Sequence, residues 1–337
     1  MPVDLRSDTV TKPTPDMRAV MAAAEVGDDV YGEDPTVNRL EELAADRLGT
    51  EKAIFCTSGT QSNLLALLCH CRRGDEFIVG QQAHTYQYEG GGAAALGSIQ
   101  PQPLDFEADG TLDLEKVAKA VKPDDIHFAR TRLLCLENTQ SGQVLPLDYL
   151  SAARDFVASR ALCLHLDGAR IFNAAVKLQV TASQIAQHFD SISCCLTKGL
   201  GAPIGSLLCG SANLIDEARR WRKTLGGGMR QAGIAAAAGL YALENNVERL
   251  AEDHENAERL VRGLVEIDEL SVDSGRTQTN MVFVDIGEAD PDALDDFLRR
   301  NGVLIHANRQ IRLVTHLDVS ESDIETVIAA FKGFFRR

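Results

Sequence analysis

Leu162, Leu164 and Leu166 alternate with Cys163, His165 and Asp167, and a period of two predicts a strand over 161–167. Asp167 falls where that strand gives way to Gly168, so its carboxylate belongs to the carboxyl end of the strand. Ile192, Cys194 and Leu196 form a second short apolar run, and Lys198 follows where the run stops, beside Gly199 and Gly201. Further apolar runs predict strands over 52–57, 76–79, 132–137 and 204–209. Between them, apolar positions at helical spacing predict helices over 61–73, 113–121, 147–159, 181–187, 213–222 and 232–245. One helix has both ends written in the sequence, with Asp34 as cap, Pro35 just inside and Gly49 as stop. Strands alternating with helices predict an α/β fold whose large lobe is a mostly parallel sheet flanked by helices.

The pattern divides the chain into three parts. Residues 1–34 read as an irregular arm with a short helix over 16–24. Residues 35–245 carry the alternating large lobe. Residues 246–337 predict a small C-terminal α/β lobe, with strands over 280–286, 303–307 and 311–315, a helix over 290–301 and a last helix. Ser320 and Asp323 open that last helix in a capping-box-like arrangement. No stretch is rich enough in Pro, Gly or Ser to mark a flexible linker between the lobes.

Composition removes several function classes. With 34 basic and 49 acidic residues the 337-residue chain carries a net charge of −15. Nucleic acid and anionic membrane surfaces are therefore not expected partners, because phosphate neutralisation needs clustered Lys and Arg. No apolar run approaches the roughly 18 residues of a membrane helix, and the start of the chain shows no secretory pattern. Eight cysteines without such a signal read as thiols of a reducing compartment, here the cytoplasm. Cys69-His70-Cys71 lies in a helical pattern and Cys194-Cys195 on a strand, so neither pair shares one face and neither has zinc-site spacing.

Asp167 and Lys198 then acquire a meaning. Ligands of open α/β sheets bind at the carboxyl ends of the strands. A lysine and an aspartate brought to that edge, each beside glycine, suit pyridoxal phosphate, which needs a Schiff-base lysine and an acidic partner for its ring nitrogen. Each motif has a plain structural reading as well: Asp-Gly as a turn, Lys-Gly as a solvated loop. Thr57-Ser58-Gly59-Thr60-Gln61 joins a strand to a helix, where backbone N–H groups form an anion site or merely a helix cap. It lacks the lysine of a nucleotide P-loop and the G-x-G-x-x-G of a dinucleotide fold. His84 follows a strand at the same edge and could stack on a flat ring or move protons. His127 could be a second polar group there, and both could equally be structural. His165 reads as core, and His70 on its helix carries no special signal. Arg170 has the fork that suits an oxygen anion. Arg312 interrupts an apolar strand, which fits either solvent exposure or carboxylate recognition. Gly226-Gly227-Gly228 ahead of Arg230 suggests a second backbone approach to an anion or a loop needing positive φ.

From Asp4-Leu-Arg-Ser-Asp-Thr-Val-Thr11 to its last helix the chain resembles the L-threonine aldolases, low-specificity or L-allo-threonine-cleaving. These are pyridoxal-phosphate enzymes of fold type I, with an aspartate-aminotransferase-like fold. The resemblance rests on Arg6-Ser-Asp-Thr, Gly32-Glu-Asp-Pro35, Thr57-Ser-Gly-Thr60, His165-Leu-Asp-Gly-Ala-Arg170, Leu196-Thr-Lys-Gly-Leu200, Gly227-Gly-Met-Arg230 and Thr279-Asn280. It implies retro-aldol cleavage of L-threonine, L-allo-threonine and other β-hydroxy-α-amino acids to glycine and an aldehyde, through a Schiff base of substrate and cofactor. By the same resemblance Lys198 carries the cofactor, Asp167 pairs with its ring nitrogen and His84 stacks on the ring. Ser58, Gly59 and Thr60 hold the phosphate with Arg230, and Arg170 reaches the ring hydroxyl oxygen and the substrate carboxylate. Ser7 and Arg312 bind that carboxylate, Tyr31 and Glu89 line the pocket, and His127 sits near the substrate hydroxyl. The base is His84, His127 or a water between them. The resemblance also implies a homo-oligomer, a tetramer built as a dimer of dimers with shared sites, and a structural cation near Thr9 and Thr11. The alternatives are another fold type I lyase catalysing β-elimination, an aminotransferase, or a non-catalytic binding protein.

Overall fold

The computed structural model describes residues 2–336. Among them the strands are β1 Val3–Asp4, β2 Lys52–Cys56, β3 Asp75–Gly80, β4 Gln100–Leu104, β5 Arg130–Glu137, β6 Cys163–Asp167, β7 Ser191–Cys195, β8 Ser206–Gly210, β9 Ser271–Val272, β10 Met281–Asp285, β11 Val303–Leu304 and β12 Gln310–Val314. The main sheet has the order β2-β8-β7-β6-β5-β3-β4. Its neighbours pair in parallel from β7 to β4, and β8 is antiparallel to both β7 and β2. Two reversals return β2 to the direction of the parallel strands. The carboxyl ends of β2, β3, β5, β6 and β7 therefore share one edge.

The helices that cover the large sheet begin with α1 Pro15–Ala22, α2 Pro35–Leu48 and α3 Gly59–His70. Asp34 caps α2 by accepting from the N–H groups of Thr36 and Val37, and Gly49 ends it at φ 66°. After them come α4 His84–Gln87, α5 Gly92–Gly97, α6 Leu114–Ala120, α7 Leu147–Ala158, α8 Ile171–Leu178, α9 Ala182–Ala186, α10 Ala212–Thr224 and α11 Gly233–Asn245. The main core joins the faces of α2, α7, α8 and α11 to Leu134, Leu164, Leu166 and Ile192 of the sheet. The sequence pattern did not reveal α4, α5, α8 or β4. β4 contains Pro101 and Pro103, yet it lies at the sheet edge, where a strand can lack amide donors on one side.

The C-terminal part contains α12 Leu250–Leu264, α13 Pro291–Arg300 and α14 Glu321–Phe335 around the antiparallel sheet β12-β10-β9. The capping box at Ser320 and Asp323 is present. The expected strand over 303–307 is shorter, and it does not join that sheet. β11 pairs in parallel with β1, Val3 opposite Val303 and Asp4 opposite Leu304. Leu5 continues the tie, donating its N–H to the Leu304 carbonyl and accepting from the Val314 N–H, both at 2.9 Å. Val3 and Leu5 are buried in the C-terminal core beside Val303, Ile305 and Leu313. The first residues are thus an anchored strand, and it delivers Ser7 and Asp8 to the edge of the large sheet. No helix among the described residues is long and apolar enough to cross a membrane, and all eight cysteines are unpaired thiols.

Candidate active site

Three strands end at the crevice with a functional group each. β5 ends in Glu137, opposite Asp167 at the end of β6, and β7 leads into Lys198. Lys198 opens a short turn at φ 65°, a left-handed backbone that costs about 1 kcal/mol for a residue with a side chain. Thr11 donates its hydroxyl to the Lys198 carbonyl at 3.0 Å and so pins that turn to the N-terminal arm. The Lys198 ammonium donates to Cys195 Sγ at 3.2 Å. Burial disfavours its charge, but the neighbouring Cys195, Asp167 and Asp8 outweigh this and hold the amine above its ordinary pKa.

Asp167 is buried, and its contacts are neutral. Its Oδ1 accepts from the Ala169 N–H at 3.1 Å and its Oδ2 from the Asn63 amide at 2.9 Å. It has no ion-pair partner among the described residues. His84 Nδ1 meets Glu89 Oε1 at 2.9 Å, and the same oxygen accepts from Asn63 at 2.8 Å. His84, Glu89 and Asp167 each place one ligand-type atom within 4.8 Å of the others. The Glu89 hydrogen bond raises the His84 pKa against the opposing effect of burial, and burial raises that of Glu89. Glu137 accepts the His84 N–H at 2.8 Å. Burial and the facing Asp167 push its carboxyl up to about 7.

The turn between β2 and α3 borders the same crevice. Ser58 is the helix cap, accepting from the Gln61 N–H at 3.1 Å. The first N–H groups of α3 have no partner within the helix. A Cβ on Gly59 would stand 3.0 Å from Cys195 Sγ, so glycine eases the close approach of this turn to the strand end that leads into the lysine. Gly227 likewise lies against the Gln61 amide, which itself accepts from the Thr57 N–H at 3.0 Å.

Asp8 is the largest omission from the sequence reading. It is fully buried and takes Arg170 in a two-pronged pair, Nε to Oδ2 at 2.7 Å and Nη2 to Oδ1 at 2.6 Å, with Asn280 at 3.2 Å. Burial opposes its charge, yet Arg170 holds the carboxyl at about 2. Two of the Arg170 nitrogens are thus committed to the protein's own carboxylate. The signal in the sequence was present in Arg6-Ser-Asp-Thr, but an aspartate in an irregular arm reads as solvated. Ser7 Oγ caps the next turn, accepting from the Thr9 N–H at 3.2 Å and the Thr9 hydroxyl at 2.9 Å. The Thr9 and Thr11 hydroxyls are therefore aimed at Ser7 and at the Asp8 and Lys198 carbonyls.

Arg312 is exposed on β12 and has no ion-pair partner among the described residues. Burial of part of its surface and the nearby Arg170 lower its pKa. Tyr31 and Arg230 are also exposed. Arg230 pairs with Asp28 at 2.7 Å, and its guanidinium lies 5.7 Å from the Tyr31 ring centre. His127 is not brought to this chain's own crevice. It precedes β5, so it sits at the amino edge of the sheet, where its 78%-exposed side chain bonds to Asp125 at 2.6 Å. An eight-residue strand separates it from Glu137, about 26 Å at the usual rise.

A buried carboxylate with only neutral partners, an amine held at the next strand end and open helix amides between them match the donor set of pyridoxal phosphate. The fold and this set are those of the pyridoxal-phosphate-dependent proteins of fold type I. The beta-eliminating lyase family model matches residues 4–287. A low-specificity L-threonine aldolase of Escherichia coli K12 is 56% identical over 99% of this chain and 100% of its own length. One of Arabidopsis thaliana is 42% identical over 98% of this chain and 95% of its own. The solved threonine aldolase of Leishmania major superposes with a TM-score of 0.85 over 99% of this chain and all of that one, at 21% identity. The chain belongs to the beta-eliminating lyase family and, within it, to the low-specificity L-threonine aldolases.

Proposed function

We propose that the chain cleaves L-threonine, L-allo-threonine and related β-hydroxy-α-amino acids to glycine and an aldehyde. The observation that carries the reading is the convergence of the Lys198 amine and the Asp167 carboxylate on one crevice, near enough for the acid to raise the amine's pKa. Bound pyridoxal phosphate supplies an electron-withdrawing ring that can accept the electrons of a broken bond at the substrate Cα. Lys198 is the residue that would hold the cofactor covalently through its amine. Asp167, oriented by Asn63 and the Ala169 N–H, meets the protonated ring nitrogen. Gly59, Thr60 and the capped start of α3 take the phosphate. Arg312, unpaired, and Ser7 receive the substrate carboxylate, with the remaining edge of Arg170 behind them. A carboxylate fixed there would hold the substrate Cα against the electron-withdrawing ring.

His84 takes the proton of the β-hydroxyl in this reading, with Glu89 holding its ring by Nδ1 and leaving Nε2 toward the crevice. His127 can enter only a neighbouring subunit's site. Its loop supports a shared-site homotetramer, since Ile126 is 98% and Phe128 48% exposed beside it. Tyr31 and Arg230, also turned outward, would complete a partner's pocket in the same way. The thiol chemistry fits the cytoplasm. A cation near Thr9 and Thr11 would be met by the lone pairs those hydroxyls keep while donating their protons.

The test is product analysis of the purified protein with pyridoxal phosphate and L-threonine. Glycine and acetaldehyde in equal amounts support the reading. 2-Oxobutanoate with ammonia would assign β-elimination of water instead. Lys198→Ala should lose the visible absorbance of the cofactor-bound protein and nearly all turnover; unimpaired cleavage would remove the lysine from its role.

A further inference from the structure

Behind Asp167 the structure holds a buried polar chain whose direction is fixed by its ends. Asn63 turns its amide nitrogen to Asp167 and Glu89, at 2.9 and 2.8 Å. Carboxylates accept only, so Asn63 Oδ1 must face the other way, where it lies 3.2 Å from His165 Nε2. An amide oxygen cannot donate, so His165 carries its proton on Nε2. The neutral ring then accepts at Nδ1, from the Ser191 hydroxyl at 2.8 Å; the Ser191 carbonyl stands 3.1 Å from the same nitrogen. Ser191 Oγ has spent its only proton, and His70 Nε2, 2.7 Å away, donates to it. Burial supports neutral rings, lowering His165 to about 3 and His70 to about 4. Asn63, His165 and Ser191 are buried, and none of the four residues can reach substrate through the strands and helix that hold them.

We propose that His70, Ser191, His165 and Asn63 form a positioning relay that locks the Asn63 amide so that its N–H groups, and not its oxygen, face Asp167 and Glu89. The lock matters because the two ends of an amide are nearly alike in shape and opposite in sign. With His165 Nε2–H gone, Oδ1 would lose its donor and could turn toward the carboxylates, repelling the group that meets the cofactor nitrogen and the one that holds His84. One rotation would thus disturb both the ring-nitrogen contact and the proton-handling histidine. His165 is a positioning residue, two positions before Asp167 on the same strand. The inference rests on the pyridoxal-phosphate reading above.

The experiment compares parent, His165→Gln and His165→Leu by pyridoxal phosphate affinity, by the pH dependence of the bound cofactor's visible band and by melting of the cofactor-free protein. Gln can offer an N–H near the Nε2 position and an oxygen to Ser191; Leu fills similar space with neither. The expected result is roughly tenfold or greater loss of affinity for His165→Leu, the worth of one hydrogen bond to a charged group, with a displaced band titration. His165→Gln should stay within a few-fold of the parent, at similar melting temperatures. If the Leu protein does not fold, Ser191→Ala deletes one hydroxyl of the relay and should show the same loss in smaller measure. Equal affinities and band titrations for Leu and parent, or equal losses for Leu and Gln, would overturn the relay while leaving the cofactor reading intact. A parent protein that binds no pyridoxal phosphate would overturn both.

Discussion

The pair formed by Asp8 and Arg170 should be the strongest single tie between the N-terminal arm and the large lobe. Asp8 is completely buried, and both its oxygens take guanidinium nitrogens at 2.6 and 2.7 Å. Its carboxyl stands at about 2 in the fold against 3.8 for a free side chain. At roughly 1.4 kcal/mol for each tenfold change in proton affinity, that difference contributes about 2.5 kcal/mol. Because the folded value is the lower one, the contribution is fully present above about pH 4 and is lost as pH falls through about 2. Removing one partner alone strands a buried charge and should cost about 3–5 kcal/mol. The double variant Asp8→Ala/Arg170→Met strands none, so its loss should fall short of the sum of the two single losses by about 2–3 kcal/mol. Urea unfolding of the cofactor-free protein at one fixed concentration measures the cycle. Single losses that simply add would refute the pair as a stabilising unit. An Asp8→Ala protein that keeps the parent's acid sensitivity between pH 4 and 2 would refute the charge argument behind it.

If His84 is the base, the cleavage rate should rise with pH through a value above the ordinary 6.5 of histidine, because Glu89 favours its protonated form. Glu89→Gln should move that acidic limb to lower pH, and an unmoved limb would assign the limb to another group. Glu137→Gln should raise the melting temperature of the cofactor-free protein more at pH 8 than at pH 5. Its carboxyl is raised from 4.5 to about 7, so the parent fold bears the cost of the ionised acid only as pH climbs through that window; equal gains at both pH values would contradict this. Arg312→Ala should raise KM for threonine by roughly tenfold or more, the loss of a charge-assisted contact, with cofactor affinity nearly unchanged. Equal losses of both would point to a folding role for the arginine.

The large lobe was legible because its signals are local. The alternation in 161–167, the Asp34-Pro35 opening and Gly49 close of α2, and the Ser58 cap each depend on residues within a turn or two, and each stands where the pattern placed it. What escaped depends on distant partners. Val3–Leu5 carries too few residues to show a period, and its pairing with Val303–Leu304 and Val314 spans almost the whole chain. Asp8 looked solvated because its partner lies 162 positions away. Asn63 gives no signal of its own within an apolar helix, and His165 looked like filling for the core. Burial was inferred correctly for His165, but burial alone does not say what a ring nitrogen is bonded to. His127 stands at the amino edge of the sheet, away from this chain's own crevice, and the sequence carries no local signal of which subunit's site a residue serves.

Placement of the charges explains why the crevice needs its short N-terminal strand. Four carboxylates, Asp8, Glu89, Glu137 and Asp167, share a small volume with Lys198 and Arg170. Asp8 takes up Arg170, Glu89 is held by His84 and Asn63, and the raised Glu137 sheds its charge most easily. Glu137 has only the His84 N–H beside its raised carboxyl, which leaves Asp167, with its neutral partners, and Arg312 of the C-terminal sheet, with no ion pair among the described residues. Those are the two poles that a cationic ring nitrogen and an amino-acid carboxylate would satisfy. They come from different lobes, one at the end of β6 and one on β12, so their separation is set by whatever joins the lobes near the crevice. Leu5 is bonded to both β11 and β12, and three residues later Asp8 grips Arg170 three residues after Asp167. One route between the two poles therefore runs through one buried ion pair, alongside the contacts of Gln278 with Val144 and of Thr279 with Gly142, and loosening that pair should blur substrate position before it unfolds either part.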